Sequence, residues 1–147
     1  MSFLNTLDIS GSGMTAQRLR LDVVAENIAN IETTRTESGG PYKRKTVVLQ
    51  AEEPSFQSVL NQALQERQST EGAGVKVVSV QEDNSESKLV YDPTHPDANE
   101  EGYVEMPNID LVKETADAMA ASQAYQANIT AFNTARLMAE KALQVGK

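Results

Sequence analysis

The stretch that decides the fold is Asn108–Val145, NIDLVKETADAMAASQAYQANITAFNTARLMAEKALQV, which contains neither Pro nor Gly. Ala recurs in it at helical spacing, as Ala120, Ala124, Ala127, Ala131, Ala135, Ala139 and Ala142. At about 1.5 Å rise per residue, one helix over this stretch would be roughly 57 Å long. A compact globule of 147 residues has a diameter of only about 40 Å. Either the helix breaks without a breaker residue, or the chain is an elongated α+β molecule whose ends pack on something beyond a single chain. Pro107 followed by Asn108, a good N-cap residue, marks the start of this helix. Asp110, Glu114 and Asp117 near the start, and Arg136, Lys141 and Lys147 toward the end, complement the helix dipole.

Two rows run along that helix. The Ala row is narrow and lets a neighbouring helix approach closely. A second row, Tyr125, Ile129, Phe132, Ala139 and Leu143, carries bulk and is interrupted by Arg136. Ile109, Val112, Ala116 and Met119 begin another apolar stripe upstream. Residues 124 and 125 lie about 100° apart on a helix, so the two rows occupy different faces. Either an ordinary bundle buries both faces, or the N-terminal helix covers one and leaves the other for neighbouring molecules. The chain offers few other helices, which favours packing on a partner.

Moving outward, residues 1–34 hold a second amphipathic helix, with Leu21, Val24, Ala25, Ile28 and Ile31 stepping by three and four. Leu7, Met14, Leu21 and Ile28 repeat every seven, a hint of a coiled-coil seam. Gly11 and Gly13 cost about 1 kcal/mol each relative to Ala, so the first dozen residues are helical only when packed. Between these ends, residues 35–107 read as a small β-containing module. Gly39-Gly40-Pro41 signals a turn, and YKRKTVVLQ, VKVVSV and KLVYDP read as short strands. SFQSVLNQALQERQ (55–68) reads as a short helix, and the stretch from Pro93 to Pro107 as turn-rich. The domain reading is thus 1–34 helical, 35–107 β-containing and 108–147 a long helix.

Composition narrows the function. The net charge of −8 disfavours nucleic acid and anionic lipid as partners, since both need clustered cations. The close group Arg35, Lys43, Arg44 and Lys45 reads as solvated charge on an edge strand or loop. Cys is absent, which removes disulfides, thiol catalysis and Cys-based metal sites. The first residues carry no basic and apolar pattern of a secretory signal, and no apolar run reaches the ~18 residues of a membrane span. The sole His, His95, sits in DPTHPD; with Asp92 and Asp97 it could be drawn as a metal site. A rigid turn in which Asp side chains cap backbone N–H groups explains the pattern better. No nucleophile elbow or phosphate loop occurs. The expectation is a protein that is not an enzyme, has no cofactor, no small-molecule substrate and no inserted membrane segment.

VYDPTHPDANEEGYVEMPNIDLVKE (90–114) resembles the signature block of the proximal rod proteins of the bacterial flagellum. ASQAYQANITAFNTARLMAEKAL (121–143) resembles their C-terminal helix. AENIANIETTRTESGGPYKRK (25–45) is similar to the motif shared by flagellar axial proteins, followed by the rod protein's own turn. Two departures stand out: Gln123 where an Arg is common, and Thr94 where a small residue is usual. The resemblance covers the chain from end to end and is weakest over 51–88. It implies terminal helices paired as a coiled-coil-like inner layer around a narrow export channel, with the β module outward. It implies assembly with other copies and with other rod proteins, and transmission of torque. It also implies delivery by the flagellar type III export apparatus, without a cleavable signal, to the rod in the periplasmic space.

The residues expected at assembly contacts are Leu21, Val24, Ile28 and Ile31 in the first helix and Ala120, Ala124, Tyr125, Ala127, Ile129, Phe132 and Leu143 in the last. Asn27 and Asn30 either fix register through hydrogen bonds or face solvent near a helix end. An alternative reading is a soluble adaptor or chaperone that binds a partner's helix through the Ala-rich face.

Overall fold

The long helix forms as the sequence requires, with a different start. In the computed structural model, which describes residues 3–37, 39–52 and 74–145, helix α2 runs over Leu111–Val145. Its N-cap is Asp110, whose Oδ1 accepts the Val112 amide at 2.9 Å while its carbonyl accepts the Glu114 amide. Asn108 is therefore not the cap. Ile109, 3% exposed, enters the core between the two, and the chain turns into the helix only after it. No basic residue occupies the last turn; Arg136 instead pairs with Glu140 one turn on.

Helix α1 spans Phe3–Ala29. The hydroxyls of Ser10, Ser12 and Thr15 bond back to carbonyls three or four residues earlier, where such side chains otherwise compete with the helix. Past Ala29, Asn30 closes the end locally: its Nδ2 donates to the Glu26 carbonyl and its Oδ1 accepts the Thr33 hydroxyl. Gly39 and Gly40, at φ of 83° and 79°, then supply the left-handed backbone of the turn that brings Tyr42 N to the Thr33 carbonyl.

Four short strands follow among the described residues. Strands β1 (Lys45–Ala51) and β2 (Val75–Glu82) form a two-stranded sheet. Bonds from Asp83 N to Arg44 O at one end and from Glu52 N to Gly74 O at the other make the pair antiparallel. Strands β3 (Lys88–Tyr91) and β4 (Tyr103–Met106) form a second antiparallel pair, with Val90 opposite Val104 and Tyr91 opposite Tyr103. Strand β4 lies inside the stretch that reads as turns. The residues between β3 and β4 do turn: Asp92 Oδ1 takes the Thr94 amide and hydroxyl, and Asn99 Oδ1 takes the amides of Glu101 and Tyr103. Gly102 closes the loop at φ 81°, where a Cβ would meet the Tyr91 ring at 3.0 Å. The short helix expected at 55–68 lies outside the described residues.

The chain divides into two compact units. The first comprises Met1–Arg18, Leu49–Val78 and Ser122–Lys147. Here α1 meets α2 at Gly13, where a Cβ would lie 2.9 Å from Asn128 Nδ2. The glycine that weakens the isolated helix is thus what lets the two helices touch. One residue earlier, Ser12 Oγ accepts the Val75 amide at 3.0 Å, beside Gly74. Among the described residues of this unit, Ser10, Ala16 and Ala135 are buried. The second unit comprises Leu19–Val48 and Ser79–Ala121. Its core is Val23, Val24, Tyr42, Val104, Ile109 and Ala121, with two polar side chains at zero exposure, Asn27 and Glu114.

Candidate assembly face and the polar joint that orients it

Along α2 the sheltered positions include only Ala124, Ala135 and Ala139 of the Ala row. Glu114, Ala118, Ala121, Tyr125, Asn128, Phe132, Ala135 and Ala139 are spaced alternately by four and three, with Asp117, Ala124 and Ile129 sheltered beside them. That spacing is a seven-residue repeat. Ala120, Ala127 and Ala131 are exposed, as are large apolar side chains: Val112 at 78%, Met119 at 59%, Met138 at 63% and Leu143 at 75%. Tyr125 and Phe132 of the bulky row and Ala124, Ala135 and Ala139 of the Ala row share the sheltered side.

The other residues expected at contacts sit as follows. Leu21, Ile28, Asn30, Ile31, Ala124, Tyr125, Ile129 and Phe132 are half-buried. Val24 is buried, and Asn27 is fully enclosed by its own chain. Its carboxamide uses all four of its hydrogen-bonding positions. Nδ2 donates to the Lys45 carbonyl at 2.9 Å and to Glu114 Oε2 at 3.0 Å. Oδ1 accepts the Lys45 amide at 2.9 Å and the Tyr42 hydroxyl at 3.2 Å. The side chain thus pairs with both backbone groups of Lys45, as a neighbouring strand would. Of the two readings of Asn27, the solvent-facing one fails.

Glu114 is the centre of charge in this joint. Its Oε1 accepts Arg44 Nε at 2.6 Å, a guanidinium 14% exposed. Arg44 also reaches Asp117 at 3.5 Å, and Asp117 pairs with Arg20 at 3.1 Å. Residues 114 and 117 follow from α2, 20 and 27 from α1, and 44 from the approach to β1. The sequence reads Glu114 only as a dipole partner; it is a buried anion held by two donors. Tyr42 sits beside it, and burial first, with the Glu26 carboxylate adding, pushes its hydroxyl from 10.0 up to about 12. Lys45 Nζ pairs with Glu26 and lies 5.4 Å from the centre of the Tyr42 ring. Lys43 donates to Asn84 and Arg35 faces Asp97 at 4.0 Å. The four clustered cations are each engaged by the chain's own oxygens. The reading of Arg44 as solvated charge is corrected: it is tied down in the joint.

At His95, Nδ1 accepts the Asp97 amide at 3.1 Å, and bonds from the Thr94 hydroxyl and amide hold the exposed Asp92 carboxyl below its usual 3.8. The turn consumes these groups. Among the described residues no cluster of three or more His, Cys, Asp or Glu side chains could hold a metal ion. Nor is any described helix long and apolar enough to cross a membrane.

Two known families match the two ends of the chain. Residues 7–35 match the family described as flagella basal body rod protein, and residues 100–145 the flagellar basal body rod FlgEFG protein C-terminal family. Both helical ends are therefore those of the flagellar rod class. Over its whole length the chain is 46% identical to the flagellar basal-body rod protein FlgC of Bacillus subtilis strain 168 and 42% identical to that of Salmonella typhimurium strain LT2, covering each completely. It is 38% identical to FlgC of Borreliella burgdorferi, with 99% of the chain and 98% of the relative aligned. The chain belongs to the FlgC family of flagellar basal-body rod proteins. It is a structural rod protein of the flagellum and not an enzyme, and the adaptor alternative finds no support in these relatives.

Proposed function

We propose that this subunit builds the proximal rod by laying the exposed faces of its two helices against other copies of itself and other rod proteins. The observation that carries the reading is the exposure of Val112, Met119, Met138 and Leu143 along one 35-residue helix. Large apolar side chains in such number on one element mark surface meant to be covered. Ala120 and Ala127 lie open on the same helix and let a neighbouring helix approach. The seven-residue repeat of sheltered positions supports coiled-coil-like pairing of α1 with α2. Leu21, Ile28, Ile31, Tyr125, Ile129 and Phe132, half-buried, serve that pairing and the edge of the contact together. Val24 and Asn27 hold the pair that presents the surface.

Stacked around an axis, such pairs would enclose an export channel. Lateral burial of many modest contacts would pass torque from subunit to subunit. In this reading the β module of residues 35–107 would lie outward of the helical segments 1–34 and 108–147. The subunit reaches the rod across the periplasmic space through the flagellar type III apparatus, by a route that needs no cleaved signal.

Charged replacements at exposed positions test this. Ala127→Asp and Leu143→Asp are expected to leave the helical content of the purified chain unchanged and to abolish incorporation into basal bodies and swimming. Normal incorporation of both variants would refute the assembly face.

A further inference from the structure

The joint around Asn27 closes on itself. Asn27 bonds to Glu114, Glu114 bonds to Arg44, Arg44 is joined by a peptide bond to Lys45, and both backbone groups of Lys45 bond to Asn27. Three chain segments distant in sequence meet in this ring: the last turn of α1, the start of β1 and the first turn of α2. The groups at its centre have no exposure, so loss of one bond leaves a buried donor or acceptor without a partner. Water cannot step in as it does at a surface. Bonds that share their partners in this way strengthen one another.

We propose that this ring is an ordering latch, with Asn27 as its positioning residue: the end of α1, the start of β1 and the first turn of α2 open and close together. Carboxamide chemistry is what the place demands. An aliphatic residue would satisfy none of the four partners, and a carboxylate would lose both donors and stand against Glu114. Order in the helices is thereby transmitted to the strand, and disorder in either helix end frees the strand. The inference does not depend on assembly, because it concerns one chain in solution.

Hydrogen exchange on the full-length chain tests it. Three amides report on the three sides: Lys45 N, which donates to Asn27; Glu114 N, which donates to Asp110 O; and Tyr42 N, which donates to Thr33 O just beyond α1. Asn27→Asp is expected to raise exchange at all three by a common factor of about ten or more. Val75 N, bonded to Ser12 in the other unit, should stay within about twofold. Adding Glu114→Gln to Asn27→Asp returns a single negative charge to the ring and a donor toward residue 27. Protection should then recover by about threefold or more at all three amides. A generic loss of packing would be deepened by the second substitution. If Asn27→Asp unfolds the chain outright, Tyr42→Phe removes one donor to Asn27 and should loosen the same three amides by a smaller common factor. Exchange that rises at Lys45 alone, or a Glu114→Gln addition that worsens protection, would overturn the latch.

Discussion

Replacing Glu114 with Ala removes two bonds at once, from Arg44 Nε at 2.6 Å and from Asn27 Nδ2 at 3.0 Å. What remains is a guanidinium 14% exposed and a fully buried carboxamide that has lost an acceptor. Stripping one partner from a buried ion pair costs about 3–5 kcal/mol, because the other charge stays buried without compensation. Here Arg44 keeps a longer contact with Asp117 at 3.5 Å, which places the expected loss near the lower end, about 3 kcal/mol. For a chain of this size each kcal/mol moves the melting temperature by about 2–4 °C, so Glu114→Ala should melt roughly 6–12 °C lower. The control is Glu140→Ala, which breaks the exposed Arg136 pair within α2. Such helix pairs contribute about 0.3–0.5 kcal/mol, so the control should move melting by no more than about 2 °C. Thermal unfolding followed by circular dichroism measures both. Equal shifts for the two variants would refute the assignment of Glu114 as a buried, doubly bonded anion.

Three further outcomes follow from other parts of the chain. Gly102→Ala forces a Cβ toward the Tyr91 ring at φ 81° and should cost about 1–2 kcal/mol, read as lower melting with loss of the Tyr91–Tyr103 edge contact by NMR. Tyr42 keeps its proton in the folded chain up to about 12 but loses it near 10.0 when unfolded. Stability should therefore fall as pH rises from about 10 to 12, and Tyr42→Phe should flatten that part of the curve in alkaline denaturation. Thr94→Ala removes the hydroxyl that lowers Asp92, so the Asp92 carboxyl should titrate closer to 3.8 by NMR.

How much of this was legible in the sequence depends on the range of the cause. Local causes read well. The Pro- and Gly-free run gives α2, and β-branched runs give β1, β2 and β3. The Gly39-Gly40 turn declares itself by composition. Strand β4 was hidden because Gly102 and Pro107 bracket only four residues, and its pairing with β3 spans a loop held by Asx turns. The N-cap was misplaced by two residues because Asn108 and Asp110 are both good caps, and only burial of Ile109 decides between them. Which of the two rows of α2 is sheltered is not decided by the sequence, for a different reason. Ala repeats are conspicuous, yet a helix packs by what reaches its neighbour, and Tyr125 and Phe132 reach further. Least legible was the joint. Asn27 and Glu114 are 87 residues apart, and nothing in either local stretch announces the other. The one usable signal was an Asn set among Val24, Ile28 and Ile31 in an apolar stripe, a polar group that needs partners if it is buried.

Coverage of the open face of α2 in the rod decides whether that face is an assembly surface. The chain has no Cys, so Leu143→Cys places a single thiol at a position 75% exposed in the free subunit. Maleimide labelling of that variant, in the purified subunit and in isolated basal bodies, measures coverage directly. The expected result is rapid labelling of the free chain and protection by about tenfold or more in the assembled rod. Equal labelling in both states would contradict the account.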